Sequence, residues 1–460
     1  MKKLLLAGAS AAALVLAGTT APSAQNLAFT IGEGDFNWES LSAFGDAHDD
    51  LAGQTLTIWH PWNTEGDAAQ WESVWRYFEA VTGVTIQAAS SPNYEEQARI
   101  DIAAGSPSNI LILPQPGLLA DFAAQGALTP LGEEMTDWVI GNYAAGDSWV
   151  LYGQYAGPDG VVRQYGMPYK QEIKSLVWYS PDNFDEMDYE IPQSMEELFA
   201  LQDQIVADGG TPWCIGLGSG GATGWPATDW VEDIMLRLHP PEVYDQWVTN
   251  QIPFTDPRII EAIELFGAIA RNDDLVAGGA AGVADTHFGD SPLGLFTVPP
   301  QCYMHHQASF IPSFFPEGSE AFVDYDFFYL PPFESRDLGR PALGSGNVAT
   351  IANDSPAARA FMEFLQTPIA HEIWMAAPNS AFLSVHTGAN PDVYSSAGQR
   401  AQGDILLNAT TARFDGSDLM PGPIGTGAFW TAMVDYVGGA SAAAITQFVQ
   451  DAWDAIAVAE

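Results

Sequence analysis

Residues 216–230 read GLGSGGATGWPATDW, and two incompatible chemistries share this one stretch. Gly216, Gly218 and Gly221 satisfy G-x-G-x-x-G, the spacing of a loop whose backbone amides cradle a dinucleotide pyrophosphate. Trp225, Asp229 and Trp230 follow around Pro226, and that combination suits a sugar. Rings stack on the apolar faces of a pyranose, while carboxylates accept hydrogen bonds from its rim of hydroxyls. A pyrophosphate loop must also run from a strand into a helix whose N-terminus faces the phosphates. Gly224-Trp225-Pro226 interrupts that continuation, and no lysine or arginine lies between Lys174 and Arg237. The glycines are expected to let backbone approach a ligand beside the two tryptophans.

Other chemistries find little support. The eight histidines form no H-x-x-x-H and the two cysteines no C-x-x-C. His305 and His306 would point to opposite faces of a strand, a poor chelate. No metal and no cofactor are expected. Cys214 and Cys302 are most simply one disulfide in an exported chain, the alternative being two buried thiols.

Export is read from the N-terminus. Lys2 and Lys3 precede the apolar run LLLAGASAAALVLAG and the small-residue segment TTAPSAQ, a secretory signal peptide over residues 1–24 with cleavage near Ala24. The run is short of the roughly 20 apolar residues a membrane span needs. No cysteine precedes Cys214, which argues against a lipid-anchored mature N-terminus, and the mature chain is expected in the periplasm without membrane insertion. Fifteen basic residues against 58 acidic ones give a net charge of −43. Such a field repels nucleic acid and anionic lipid, and no basic patch offsets it. Its simplest consequence is solubility.

The elements that must position these residues alternate. TLTIWHPW, VTIQAAS, NILILP and KSLVWYS read as strands. Between them, Trp71, Val74, Trp75, Phe78 and Val81 recur at helical spacing, and Ser194 with Glu197 has capping-box spacing before Leu198, Leu201 and Ile205. This alternation predicts an α/β protein, with mainly parallel sheets flanked by helices. A chain of this length exceeds one typical core and predicts two domains. No low-complexity linker separates them, so short crossings must join them.

The segments YEEQARIDIAAGSPSNILILPQPG, TPWCIGLGSGGATGWPATDWVED, CYMHHQASFIPSFFPEG and FDGSDLMPGPIGTGAFW resemble those of the extracellular solute-binding proteins of ABC sugar importers, most closely the alpha-glucoside-binding ones. The resemblance implies two α/β lobes joined by three hinge crossings: in MPYKQEIKSL, near ALGSGNVATI and around residues 390–405. Residues 25–170 and 345–395 would form the first lobe, and 171–344 and 396–460 the second. It implies no enzymatic activity, a monomer, a small sugar as ligand, and the permease subunits of an ABC importer as partners. A secreted glycoside hydrolase, or the same fold with another small solute, is the alternative.

The resemblance also selects residues. Met420-Pro421, six residues, then Ala428-Phe429-Trp430 is similar to a maltodextrin-binder pattern whose tryptophan stacks on a glucose ring. Glu172 resembles a hinge-side glutamate that accepts sugar hydroxyls, with Lys170 beside it as an ion-pair partner. Trp62 and Glu65 follow the first strand, and Asn93 and Tyr94 the second, at carboxyl ends where open α/β sheets place ligands. Trp225 and Asp229 come from the glycine segment, Gln307 follows the strand CYMHH, and Gly344 and Gly346 would bring backbone amides to the ligand. Gln115 stands in a PQPG loop without an aromatic platform, which predicts a short ligand such as a disaccharide. Trp71 and Trp75 are assigned to the core.

Overall fold

The computed structural model describes residues 27–62, 65–91, 94–378 and 380–459. The signal-peptide reading of residues 1–24 and the candidate Asn93 lie outside them. No helix among the described residues is long and apolar enough to cross a membrane.

Strands β1 (Thr55–Trp59), β2 (Thr85–Ala89) and β3 (Ile110–Leu113) lie side by side in parallel, β1 in the middle. Their connections are the helices Glu65–Thr82 and Tyr94–Ala103, the crossover a parallel pair demands. Gly83, at φ +70°, stops the first of these, as its sequence position predicts. The next strands are β4 (Gln154–Ala156) and β5 (Val162–Gln164), a hairpin, then β6 (Gly166–Ile173), β7 (Leu176–Tyr179), β8 (Met304–His306), β9 (Asp326–Tyr329), β10 (Pro341–Ile351) and β11 (Thr411–Phe414).

Strand β10 organises the molecule. Along one edge it pairs antiparallel with β6. Along the other it pairs first with β11, through Gly344↔Phe414, and then with β3, from Val348↔Leu113 onward. Ser345, Gly346 and Asn347 between those partners have no strand neighbour on that edge, and the register with β6 shifts between Gly346 and Val348. Strands β6 and β10 fall on the first two predicted crossings. The sheets are mixed rather than mainly parallel: β3, β6 and β10 pair antiparallel, and so does β7 with both β8 and β9. These pairs join strands distant in sequence, so no single crossover helix fixes their relative direction. Alternation of elements in the sequence carries no record of such pairings.

One apolar cluster centres on Trp71, Phe78, Phe361 and Trp374 and runs on to Trp178, Leu295 and Phe315; another centres on Trp213, Trp230, Phe266 and Phe429. Trp71 and Trp75 are buried in the first, as expected. Ser194 caps the helix Met195–Ala207 by accepting from the Glu197 amide at 3.1 Å, and Glu197 reaches back to the Gln193 amide at 2.6 Å. Cys214 and Cys302 form a disulfide in the second lobe.

Candidate functional site

The helix Trp225–Leu238 is buried from Pro226 onward, yet it carries Asp229, Glu232, Asp233 and Arg237 at i, i+3, i+4 and i+8. Such a stripe ordinarily faces water. Here it faces the crossing segments, so each polar group must find a partner there. Asp233 receives Ser175 Oγ at 2.7 Å, lies 3.0 Å from His306 Nε2, and pairs with Arg237. Ser175 Oγ in turn accepts from the Leu343 amide at 2.8 Å, which ties the helix to β10.

One turn earlier on the helix, Asp229 meets Lys174, the first of the two residues between β6 and β7. The Lys174 ammonium donates to Asp229 Oδ1 at 2.8 Å and to Asp415 Oδ2 at 2.5 Å. Glu232 accepts the amides of Gly416 and Ser417 at 2.8 and 2.9 Å, while Asp415 Oδ1 accepts from Ser417 Oγ and the Asp418 amide. Asp229, Glu232 and Asp415 bring carboxylate oxygens within 4.8 Å of one another, a spacing that could hold a metal ion. The cation among them is the ammonium of Lys174 itself. Burial raises the Asp415 carboxyl, but Lys174 outweighs it and holds the group below its ordinary value. Burial raises Asp229 far above its ordinary value, with Asp415 adding to the effect against the pull of Lys174. Burial first, then Asp415, pushes Asp418 up to about 8. Asp229 Oδ2 is buried without a hydrogen-bond partner.

The surface over this cluster is aromatic. Trp225 is half-buried, with the Lys174 ammonium 5.3 Å from its ring centroid and the rings of Phe288 and Phe310 at 5.1 and 6.1 Å. Trp430, also half-buried, donates its indole N–H to Ser417 Oγ at 3.2 Å. It opens the helix Trp430–Val437 directly after a π-helical turn, Pro423–Phe429, a form common at functional sites. Gly224 packs against its backbone, so the glycine segment and the AFW segment are neighbours. The first lobe reaches the same place: a Cβ on Gly117 would lie 3.1 and 3.2 Å from the carbonyl oxygens of Met420 and Asp418. The carboxyl ends of β3 and β11 thus face each other across the unpaired stretch of β10, where open sheets leave a crevice for ligands.

A model of the bacterial extracellular solute-binding protein family matches residues 62–372. The chain belongs to that family. It is 59% identical to the alpha-glucosides-binding periplasmic protein AglE of Rhizobium meliloti, over 99% of this chain and 100% of that one. It is 42% identical to the osmoprotective compounds-binding protein GgtB of Synechocystis, over 82% of this chain and 87% of that one. Among solved structures, the bacterial solute receptor AcbH covers 87% of this chain and 99% of its own at a TM-score of 0.73 and 18% identity. The apo form of RafE from Streptococcus pneumoniae covers 87% and 97% at 0.67 and 17%. These likenesses show the two-lobed fold.

Within this solute-binding protein the expected residues separate into two groups. Trp225, Asp229, Trp430, Glu172 and Lys170 lie on or beside β6 and the buried helix Trp225–Leu238. Lys170 Nζ donates to Glu172 Oε1 at 2.5 Å and Ser345 Oγ to Glu172 Oε2 at 3.0 Å. Burial raises the Glu172 carboxyl, but Lys170 and Ser345 leave it below its ordinary value. Gln115 sits, half-buried, just before the helix Pro116–Ala124 that carries Gly117. Others lie elsewhere. Trp62 is only 7% exposed, wedged 5.1 Å from Trp71 and 4.7 Å from Trp374 in the first-lobe core. Tyr94 is buried against Trp59, its hydroxyl without a partner. Glu65 begins the helix that follows β1. Gln307 is buried and turns its side-chain oxygen onto the amide of Ala308. Gly344 and Gly346 are buried ladder residues of β10: a Cβ on Gly346 would collide with the carbonyl oxygen of Lys170, so smallness there serves strand pairing with β6.

Lys174, Glu232, Asp415, Ser417 and Asp418 escaped sequence reasoning. Two signals could have found them: the acid stripe on a helix too apolar to be exposed, and two aspartates inside the FDGSDLMPGP segment. A surface cavity of about 630 Å³ in the first lobe, between Asn37, Phe44, Trp138 and His386, shares no lining residue with this cluster.

Proposed function

We propose that the protein captures a short alpha-glucoside in the crevice between its lobes and delivers it to the permease subunits of an ABC importer. The observation that carries this reading is the full-length identity of 59% to a protein named for binding alpha-glucosides in the periplasm. The chain works in the periplasm as a soluble monomer after loss of residues 1–24. Residues 25–170 with 345–395, and 171–344 with 396–460, act as the two lobes, and a third crossing lies around 390–405.

In this reading Trp430 and Trp225 supply the stacking surfaces and Glu172 accepts hydroxyls. Bound sugar bridges the lobes and stabilises their closed arrangement through contacts absent from the open one. Glu65, Asn93 and Gln115 serve as further ligand contacts. No bond is made or broken. A glycosidase would flank the scissile bond with two carboxylates separated by roughly 5 Å or more. The space between Asp229 and Asp415 is instead occupied by the Lys174 ammonium.

Thermal-shift measurement with maltose, sucrose, trehalose and methyl α-glucoside tests the proposal. A true ligand at 100 times its dissociation constant stabilises by about 2.7 kcal/mol. A panel without any shift would sink the alpha-glucoside reading. Loss of the disaccharide on overnight incubation with stoichiometric protein would replace it with the glycosidase.

A further inference from the structure

Resting on the reading of Trp430 as a stacking platform, we propose that Ser417 is its positioning residue: the buried hydroxyl fixes the plane of the Trp430 ring, so that the platform is set before the sugar arrives. The backbone of Trp430 is held already, since Gly224 packs against it and the π-helical turn Pro423–Phe429 leads into it. That does not hold the ring. The outer torsion of an indole is broad instead of locked in a narrow well, and a half-buried ring has neighbours over only part of its surface. The indole N–H supplies the missing constraint by donating to Ser417 Oγ at 3.2 Å.

Ser417 is itself immobilised. It is fully buried, its amide donates to Glu232 Oε1 at 2.9 Å, and its carbonyl oxygen lies so close to Gly425 that a Cβ there would collide with it. The directions of its side-chain hydrogen bonds are forced. An indole N–H can only donate and a carboxylate can only accept. The group between Trp430 and Asp415 must therefore accept from one and give its proton to the other. A hydroxyl does both, and Ser417 Oγ donates to Asp415 Oδ1 at 2.7 Å. The other oxygen of Asp415 is held by the Lys174 ammonium. Committing the hydroxyl proton to this paired carboxylate polarises Oγ and makes it a better acceptor for the indole. Thr228 Oγ1 stands 3.3 Å from the same Ser417 oxygen and 3.0 Å from the Trp225 carbonyl oxygen, so the turn that carries the second ring meets the same hydroxyl. Ordering a ring during folding removes that cost from binding, and the difference appears as affinity.

Ser417→Ala and Trp430→Phe, singly and together, test this by calorimetric titration with maltose, sucrose, trehalose and methyl α-glucoside, read on each sugar the wild type binds. S417A should weaken binding by about three- to tenfold, the weight of one hydrogen bond. W430F keeps a ring without an N–H, so in that background S417A should change affinity by less than about twofold. Equal losses in both backgrounds, or no loss from S417A alone, overturn the inference. Isotope-labelled tryptophan gives a second readout. The indole resonance missing from W430F is that of Trp430, and in S417A it should shift and exchange with solvent faster. A resonance that S417A leaves unmoved overturns the inference as well. If S417A does not fold, Ser417→Cys takes its place, because a thiol is close in size and a weak acceptor. Failure of the wild type to bind all four sugars overturns the glucoside reading and this inference with it. Wild-type affinity in W430F leaves that reading standing and overturns the role given to the indole N–H.

Discussion

Gly224 and Trp430, 206 positions apart in the chain, are in backbone contact: a Cβ at 224 would collide with the carbonyl oxygen of Trp430. Gly224 also holds φ at +116°, a conformation side chains strain to adopt, while serving as N-cap of the helix Trp225–Leu238. Gly224→Ala should therefore cost about 1–3 kcal/mol in strain alone, more if the Trp430 turn is displaced. Denaturant unfolding reads the loss, and ligand titration should show weakened binding as the two tryptophans move apart. A variant with wild-type stability would mean that the contact is slack.

Trp430 and Trp71 offer a paired test of ligand platform against core. Trp430 keeps part of its ring open and Trp71 is 0% exposed. Losing on the order of 100 Å² of stacked apolar surface costs about 2.5 kcal/mol at roughly 25 cal/mol per Å². Trp430→Ala should thus weaken glucoside binding by roughly 30- to 100-fold while the fold survives. Trp71→Ala should destabilise by about 3–5 kcal/mol through a cavity and leave the affinity of the folded fraction nearly unchanged. Calorimetry with melting curves on both variants separates the roles. Normal binding by Trp430→Ala would assign that ring to the core.

Lys174 is the cation on which two buried aspartates depend. Removing one partner of a buried ion pair typically costs about 3–5 kcal/mol, because a charge is left unpaired. Lys174→Met should show that loss near neutral pH and a smaller one in acid, where the stranded carboxyls take up protons. The sign in the wild type is opposite. Asp415 is held low by Lys174, so its contribution is full above its unfolded value and lost as pH falls through the folded one. Unfolding curves of both proteins at about pH 2 and pH 7 check the convergence.

The disulfide closes a loop with a sequence separation of 88. Restricting the unfolded chain over such a loop is worth about 2–4 kcal/mol. Reduced protein, or a double Cys214→Ser and Cys302→Ser variant, should unfold at correspondingly lower denaturant concentration. Sugar affinity should hold, because both cysteines are buried and neither belongs to the cluster of Lys174, Asp229 and Asp415. Equal stability with and without reductant would mean that the thiols are unpaired in solution.

The sequence was legible where a single local rule decided the outcome. Period-3.6 spacing located the helix through Trp71 and Trp75, and Ser194 with Glu197 marked a helix start that the hydrogen bonds reproduce. Trp225 and Asp229 were singled out by the chemistry a sugar requires and Trp430 by resemblance to a maltodextrin-binder pattern, and their two segments prove to be neighbours. Burial produced by tertiary packing was not. Trp62 stands at a strand's carboxyl end as a ligand residue would, but Trp374, more than 300 residues away, covers it. Gly344 and Gly346 were expected to bring backbone amides to a ligand, and on the β6 edge their smallness makes room for that strand. Lys174 was invisible as a site residue because its partners come from two distant segments. The antiparallel pairings had the same cause, since they too join strands distant in sequence.

Strand β10 carries a consequence for how the molecule is made. Its partners in the first lobe, β3 and β6, leave the ribosome long before it does, and β11 follows later still. Until residue 351 is available, β3 keeps an open edge and β6 has no sheet to join. The sheet built on β10 cannot be cut from the chain as one contiguous fragment, and it cannot close before residue 414 has been made. Contacts this distant in sequence also form slowly. A chain whose sheet waits for its last third stays threadable until it is complete, the condition that passage across a membrane in the unfolded state imposes.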